Sequence, residues 1–339
     1  AVLVPTMTFA ATAEIVLYRN AIPILVDCEP QTGNLNLQDA EEKLRKLKNG
    51  EYFSGKNQPL EVVGIIPVHI GGYMLNLGEV KDFAKRHNLW IIEDAAHSFP
   101  AAWRENSESP WQYCGEDAET VTCFSFYANK TITTGEGGMV VTNNRELADR
   151  IRTMSLHGLS NDAWNRYTGE NSWDYKIIFP GYKYNLTDIA AAIGLHQLQR
   201  AETMRLEREA VAEYYYDALE NVAEFELPPQ NNDRIHSRHL FPIRLNLQNL
   251  TINRNQFLEK LRSAGIGCSV HWRPLHLHPL YAEKFGWREA DFPVATPLWE
   301  RFISLPIFSS MKVSEIRRVV ETVKKICHNY GTKSLTLVA

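Results

Sequence analysis

LWIIEDAAHS (Leu89 to Ser98) and CFSFYANKTITTGEGG (Cys123 to Gly138) are the two stretches on which the fold turns. In the first, four apolar residues, Leu89 to Ile92, run straight into Glu93 and Asp94, the pattern of a short buried strand ending at a polar edge. The second reads as another short strand, Val121 to Phe126, followed by a single lysine, Lys130, and a turn rich in glycine (Gly135, Gly137, Gly138). In an open α/β sheet, ligands bind beyond the carboxyl ends of the strands. A carboxylate and an amine delivered to that edge suit a cofactor whose ring nitrogen needs a counter-charge and whose aldehyde needs an amine. Pyridoxal phosphate is such a cofactor. Alternation along the strand leaves open which of Glu93 and Asp94 faces the ligand.

Each residue also has a plainer role. A carboxylate at a strand-to-helix turn is often a helix cap, and a lone lysine usually lies on the surface. The order of the elements favours the chemical role, with the carboxylate at one strand end and the lysine at a later one. GEGG lacks the GKS/T of a nucleotide phosphate loop.

Outward from these two stretches, strand and helix alternate. Ala21 to Val26 and Glu61 to Val68 read as strands. Gln38 to Leu47 and Gly78 to His87 read as helices, the latter with Val80, Phe83, Ala84 and His87 on one face. This rhythm predicts an α/β fold with a mostly parallel sheet, to which Met139 to Thr142 adds a further strand. Lys48 to Pro59 and Arg104 to Glu119 are polar and read as surface loops. A helical pattern begins after Asn185, Leu186 and Thr187 and continues to about Glu220. Beyond it come Phe241 to Leu245 as a strand, Asn255 to Ala264 as a helix ended by Gly265, and Ile266 to His271 as a strand. Ile316, Val319, Val320, Val323 and Ile326 trace a final helical face. The predicted organisation is a large cofactor-binding domain over 1–205 and a smaller α+β domain over 206–339, joined by the long helix that starts near 187.

The 339 residues, 44% hydrophobic and 22% charged, have the composition of an ordinary globular protein. A net charge of -4 gives no case for binding nucleic acid or an acidic membrane. Cys28, Cys114, Cys123, Cys268 and Cys327 are scattered and lack CxxC spacing, which points to reduced thiols in a cytoplasm. No apolar run approaches the roughly 20 residues of a membrane helix. The chain opens on VLVP, which reads as the middle of a strand, with no signal peptide or initiator methionine, so further residues upstream are expected. VHWRPLHLHP (Val270 to Pro279) carries His271, His276 and His278. With no carboxylate in the segment and with Pro274 and Pro279 stiffening it, it reads as a substrate-facing or packed loop rather than a metal site.

Taken together, VPTMTFAAT, DCEP, IIPVHIGG, IIEDAAHS, CFSFYANKTITTGEGGMVVTN, GYKYNLTDIAAAIGLHQL, SVHWRPLHLHP and SLPIF span nearly the whole chain. With these motifs the chain resembles the DegT/DnrJ/EryC1/StrS family of pyridoxal-phosphate sugar aminotransferases, of fold type I, the aspartate-aminotransferase-like fold. The resemblance implies that Lys130 is the Schiff-base lysine and that Asp94 pairs with the pyridine nitrogen. It places His97 beside the cofactor's phenolic oxygen, Phe9 on the pyridine ring and Ser125 at the phosphate. Asn185 matches an asparagine that reaches the phosphate of the neighbouring subunit, which implies a homodimer with a shared site. His271 falls near the sugar pocket. The family's SGT-type phosphate loop lies upstream of the VPTMTF segment and is not in this sequence, and the two polar loops look longer than is usual in the family. A lysine at 130 disfavours the related dehydratases, which carry histidine there.

The expected activity is transfer of an amino group from an amino acid, L-glutamate by resemblance, to a nucleotide-linked keto-sugar, with no nucleic acid, membrane or metal involved. His97 in place of glutamine points to a 4-keto-6-deoxy or related sugar, made for cell-surface polysaccharide or secondary metabolites. A non-catalytic cofactor-binding or regulatory protein of the same fold is the alternative. A cofactor-free Schiff-base lyase would have no use for Asp94 or Phe9.

Overall fold

The computed structural model describes residues 1–50, 60–159 and 175–332. Along the large sheet the elements are β1 (Val2–Pro5), α1 (Ala11–Tyr18), β2 (Pro23–Val26), α2 (Leu37–Lys48), β3 (Gly64–Ile65), α3 (Leu77–His87) and β4 (Trp90–Asp94). They are followed by β5 (Ala102–Trp103), β6 (Gln112–Tyr113), β7 (Val121–Ser125), β8 (Gly138–Val141) and α4 (Arg145–Ser155). Six of these strands form a sheet in the order β2-β1-β3-β4-β7-β8, parallel throughout except for the β7–β8 pair. The expected α/β class and mostly parallel sheet are therefore present.

Local chemistry sets the element ends. The Asn76 side chain caps α3 by accepting from the N–H groups of Gly78 and Glu79, and Asn88 closes that helix in the left-handed region. Glu79 in its first turn and Lys85, Arg86 and His87 in its last complement the helix dipole. The strand expected over Glu61 to Val68 narrows to Gly64–Ile65. Pro67 has no N–H for the ladder, and pairing resumes only as a bridge between Val68 and Asp94.

The rest of the chain forms α5 (Asp188–Gln199), α6 (Ala201–Leu219), β9 (Phe225–Glu226), β10 (Arg234–Ile235), β11 (Phe241–Leu245), α7 (Arg254–Ser263), α8 (Pro279–Phe285), α9 (Ala295–Trp299), β12 (Phe302–Leu305) and α10 (Val313–Tyr330). The helical pattern after Thr187 is divided: α5 stops at Gln199 and α6 begins at Ala201, with Arg200 at φ -103°, ψ -1° between them. No proline or glycine marks this break. Antiparallel strands in the order β12-β11-β9 carry α6, α7 and α10 on a shared core that includes Val211, Tyr215, Phe241, Phe257 and Val323. The five-residue face read from Ile316 to Ile326 is buried in that core. Leu275, Tyr281, Phe292 and Leu298 belong to a different cluster, shared with Val2, Val4 and Leu25 of the large sheet.

Two expectations need correction. Ile266 to His271 is not a strand. Gly265 turns the chain at φ +75°, and only Ser269 pairs, as a single antiparallel bridge to Ser304. Arg104 to Glu119 is not all loop, because β6 pairs with β5, which pairs in turn with β10. Of the polar stretch Lys48 to Pro59, residues 51–59 lie outside the described residues. Among the described residues, no helix is long and apolar enough to cross a membrane.

Candidate active site

The carboxyl ends of β1, β4 and β7 open on one cavity of about 600 Å³, within the usual range for a small-molecule site. Phe9 from the turn after β1, Asp94 and His97 from the end of β4, and Ser125 and Lys130 from the end of β7 all line it. His271 and Trp272 close the far side. Six of the seven residues picked from the sequence are thus brought together. Asn185 is not among them. It lies before α5 in a second cavity of about 650 Å³, beside Gly137 and Gly138, where its side-chain oxygen accepts from the Lys183 ammonium.

The two carboxylates at the end of β4 differ in what surrounds each. Glu93 is fully buried and accepts from His69 at 2.8 Å and from the hydroxyls of Thr120 and Thr122. Cys114 sits in the same cluster. His69 Nδ1 accepts from the Leu75 N–H at 3.2 Å, so its proton is on Nε2 and is given to Glu93. The acceptors of this cluster are thereby used by donors of the protein itself, which reads as structural. Asp94 is only half-buried and turns the other way. Its Oδ2 accepts from the Thr12 hydroxyl at 2.7 Å and its Oδ1 from the Ala96 N–H at 3.1 Å. The Thr8 and Thr12 hydroxyls are linked at 2.7 Å, so the turn after β1 holds the carboxylate in place.

Lys130 sits in a loop tied back on itself. The Lys130 N–H donates to the Tyr127 carbonyl at 3.0 Å, the Phe126 N–H to Gly137 at 2.8 Å and the Thr134 N–H to Phe126 at 2.9 Å. Gly135 takes φ +80°, where an added Cβ would meet nothing within 4 Å, so this glycine serves the turn rather than a close approach. Among the described residues no carboxylate forms a salt bridge with the Lys130 ammonium. Burial lowers its pKa to about 8, against the opposing pull of Asp94.

His97 is buried and accepts at Nδ1 from the Gly71 N–H at 3.2 Å, which puts its own proton on Nε2. Its ring stacks on Trp272 with centroids 5.1 Å apart and planes at 18°. Gly72, at φ +95°, must be glycine: a Cβ there would lie 1.7 Å from Ser237 Oγ and 2.8 Å from the His97 carbonyl. Burial, then the charges of His239, Lys130 and His271, pushes the His97 pKa well below its ordinary value. His271 is lowered to about 4 by burial and by Lys130, and its Nδ1 pairs with Ser304 Oγ at 2.8 Å. The other two histidines of that loop point elsewhere. His276 bridges Thr6 and Thr296, and His278 meets the Arg273 carbonyl. Phe9 is 62% exposed at the cavity.

Thr12, His239 and Trp272 were not picked from the sequence. Thr12 sits in the TMTFAAT segment four residues after Thr8, and Trp272 directly follows His271, but neither carries a motif that would single it out.

A parallel sheet that brings an amine, a carboxylate and a buried imidazole to one cavity at its strand ends has the architecture of the fold type I pyridoxal-phosphate transferases. The model of the DegT/DnrJ/EryC1/StrS aminotransferase family matches residues 1–324. The chain belongs to this family. It is 42% identical over 322 residues to MJ1066, an uncharacterized protein of Methanocaldococcus jannaschii, covering 94% of this chain and 77% of that one. It is 35% identical over 326 residues to the spore coat polysaccharide biosynthesis protein SpsC of Bacillus subtilis, covering 96% and 78%. Among solved structures, the putative sugar aminotransferase Spr1654 of Streptococcus pneumoniae in its PMP form superposes with a TM-score of 0.81 at 27% identity, covering 97% of this chain and 82% of that one. The same protein has been solved in a PLP form, with a TM-score of 0.81 at 25% identity. The chain is a sugar aminotransferase by family, and pyridoxal 5′-phosphate is the cofactor of that family.

Proposed function

We propose that the protein transfers the amino group of an amino-acid donor, L-glutamate, to a nucleotide-linked keto-sugar of the 4-keto-6-deoxy kind, by a ping-pong transamination. The observation that carries the reading is a half-buried lysine, in no salt bridge among the described residues, sharing one cavity with a carboxylate held by Thr12 and Ala96. These residues fit pyridoxal phosphate: an amine for its aldehyde, an anion for its ring nitrogen, an aromatic ring at Phe9 and a hydroxyl at Ser125. When bound, this cofactor supplies an electron sink for a carbanion at the carbon bearing the amine.

The protein's own groups divide the remaining work. Asp94 would pair with the ring nitrogen of the bound cofactor and favour its protonated form. Lys130 Nζ would hold the cofactor and, when free, would serve as the general base and acid for the proton on the donor's α-carbon. His97 offers an Nε2–H to the phenolic oxygen. Trp272 stacks on the His97 imidazole and holds its plane.

An amine must be neutral to attack an aldehyde, so the Lys130 pKa of about 8 sets a pH dependence. Below pH 8 most of the lysine is charged and capture is slow. The rate climbs as pH rises through 8 and levels above it. Stopped-flow absorbance of pyridoxal phosphate uptake by the cofactor-free protein should give a midpoint near 8. A midpoint near 10.5, the ordinary lysine value, would refute this account of Lys130.

We also read the protein as a homodimer in which Asn185 completes the partner's phosphate site. Helix α5, DIAAAIGLHQLQ, has no buried residue, and Ile189, Ile193, Leu195 and Leu198 are all exposed on it. A helix apolar around most of its surface is normally covered, and a second copy of the same chain offers a matching face. Light scattering should give twice the chain mass, with Ile189→Arg shifting it towards the monomer and lowering turnover. A monomeric, fully active wild-type protein would remove the shared site. A cytoplasmic location belongs to the same reading.

A further inference from the structure

Two buried side chains beside the cavity carry polar groups that the protein leaves unsatisfied. His239, two residues before β11, lines the cavity and is 7% exposed, its ring centroid 4.2 Å from that of His97. Its Nδ1 is sealed and unpartnered, and among the described residues its Nε2 has no hydrogen-bond partner either. Nε2 is thus the ring nitrogen with access to the cavity. An orphaned N–H is rarer in proteins than an orphaned acceptor, so the ring proton belongs on Nε2. His239 then presents a free N–H donor to the ligand.

Arg208 of α6 stands behind it. This guanidinium is 5% exposed, and its Nη1 donates to the carbonyls of Arg238, the residue before His239, and Ile307. Its Nε is sealed and unpartnered, and among the described residues no carboxylate forms a salt bridge with it. A buried cation without a counter-charge is costly. A ligand's negative charge at the His239 end of the cavity offsets that cost. Of the two carboxylates lining that cavity, Asp94 is engaged with Thr12 and Ala96, and Glu93 with His69, Thr120 and Thr122.

We infer that His239, with the charge of Arg208 behind it, receives the carboxylate of the amino-acid donor. A sugar hydroxyl would satisfy the N–H and leave the buried charge unanswered, whereas a carboxylate meets both. The inference rests on the transaminase reading given above.

The test uses the holoenzyme and glutarate, a donor mimic that has carboxylates but no amine to react. Isothermal titration should show glutarate binding to the wild type and binding weakened roughly tenfold or more in His239→Leu, the scale of losing a hydrogen bond to a charged group. His239→Gln, whose amide places an N–H near the position of Nε2, should stay within about threefold of the wild type. The KM for L-glutamate should follow the same order, while the KM for the keto-sugar stays unchanged in both variants, which also shows that they are folded. Equal glutarate binding in all three proteins, or a loss confined to the keto-sugar half-reaction, overturns the assignment and leaves the aminotransferase reading standing. A wild-type holoenzyme that neither binds glutarate nor reacts with any amino acid overturns both.

Discussion

Lys130→Ala is expected to abolish transamination, lowering turnover by about 10⁴-fold or more, and to remove the visible absorbance of the covalently held cofactor. The size follows from two losses at one atom. Among the described residues, the only amine lining the cavity disappears, and with it the general base and acid for the proton transfer, a role worth up to about 10⁴-fold by itself. The substitution should fold normally, since the loop is held by the backbone bonds of Phe126, Thr134 and Gly137 and by Ile132 in a small core with Ala201 and Met204, none of which uses the lysine amine. Noncovalent cofactor can still enter the cavity, so the readouts are the absorbance band, borohydride trapping and turnover together. A variant that keeps a borohydride-trapped cofactor would place the covalent link on another residue.

The second large effect is at Asp94. Asp94→Asn keeps one oxygen for the Ala96 N–H and turns its NH2 on the Thr12 hydroxyl, which can accept from it while donating to Thr8, so the side chain should stay in position while its charge is lost. Removing one partner of a desolvated charge pair costs about 3–5 kcal/mol, which corresponds to roughly 10²- to 10⁴-fold in rate. Steady-state turnover with saturating cofactor is the measurement, and a loss smaller than threefold would take Asp94 out of the chemistry. Glu93 provides the internal contrast. It is one residue away but bound to His69, Thr120 and Thr122 on the opposite side of the strand, so its replacement should act on stability rather than on the cofactor.

That contrast marks where the sequence stopped being readable. The strand-lysine-glycine pattern placed the Glu93–Asp94 pair and Lys130 at one sheet edge, because parallel α/β folds put their ligands there and strand ends can be read from apolar runs, whereas His97 and Ser125 came with the family resemblance. Separating Glu93 from Asp94 required the threonines of β7 and α1, which are distant in sequence and near only once β4 is paired. His239 and Arg208 were harder still. A histidine in IHSRHL and an arginine in a helix are unremarkable residues until folding seals them beside the cavity without partners. The differences in element bounds have separate causes. Pro67 shortens a strand whose apolar content suggested more, the stretch after the turn at Gly265 makes a single bridge instead of a strand, and the interruption at Arg200 has no local signal in a sequence with good helix formers on both sides. The apolar character of α5 stands in the sequence, but the exposure of Ile189, Ile193, Leu195 and Leu198 appears only in the folded chain.

The central claim is that Asp94 and Lys130 serve a two-stage amino transfer from an amino acid to a keto-sugar. Its most direct test is a spectral cycle on the purified holoenzyme. Addition of L-glutamate alone should convert the cofactor's visible band to that of the pyridoxamine form. After removal of the amino acid, one member of a panel of nucleotide-linked 4-keto-6-deoxy sugars should restore the original band and yield one equivalent of amino sugar. A spectrum that does not respond to any amino acid, or one that responds to L-glutamate but is restored only by keto acids and never by a keto-sugar, would contradict the account.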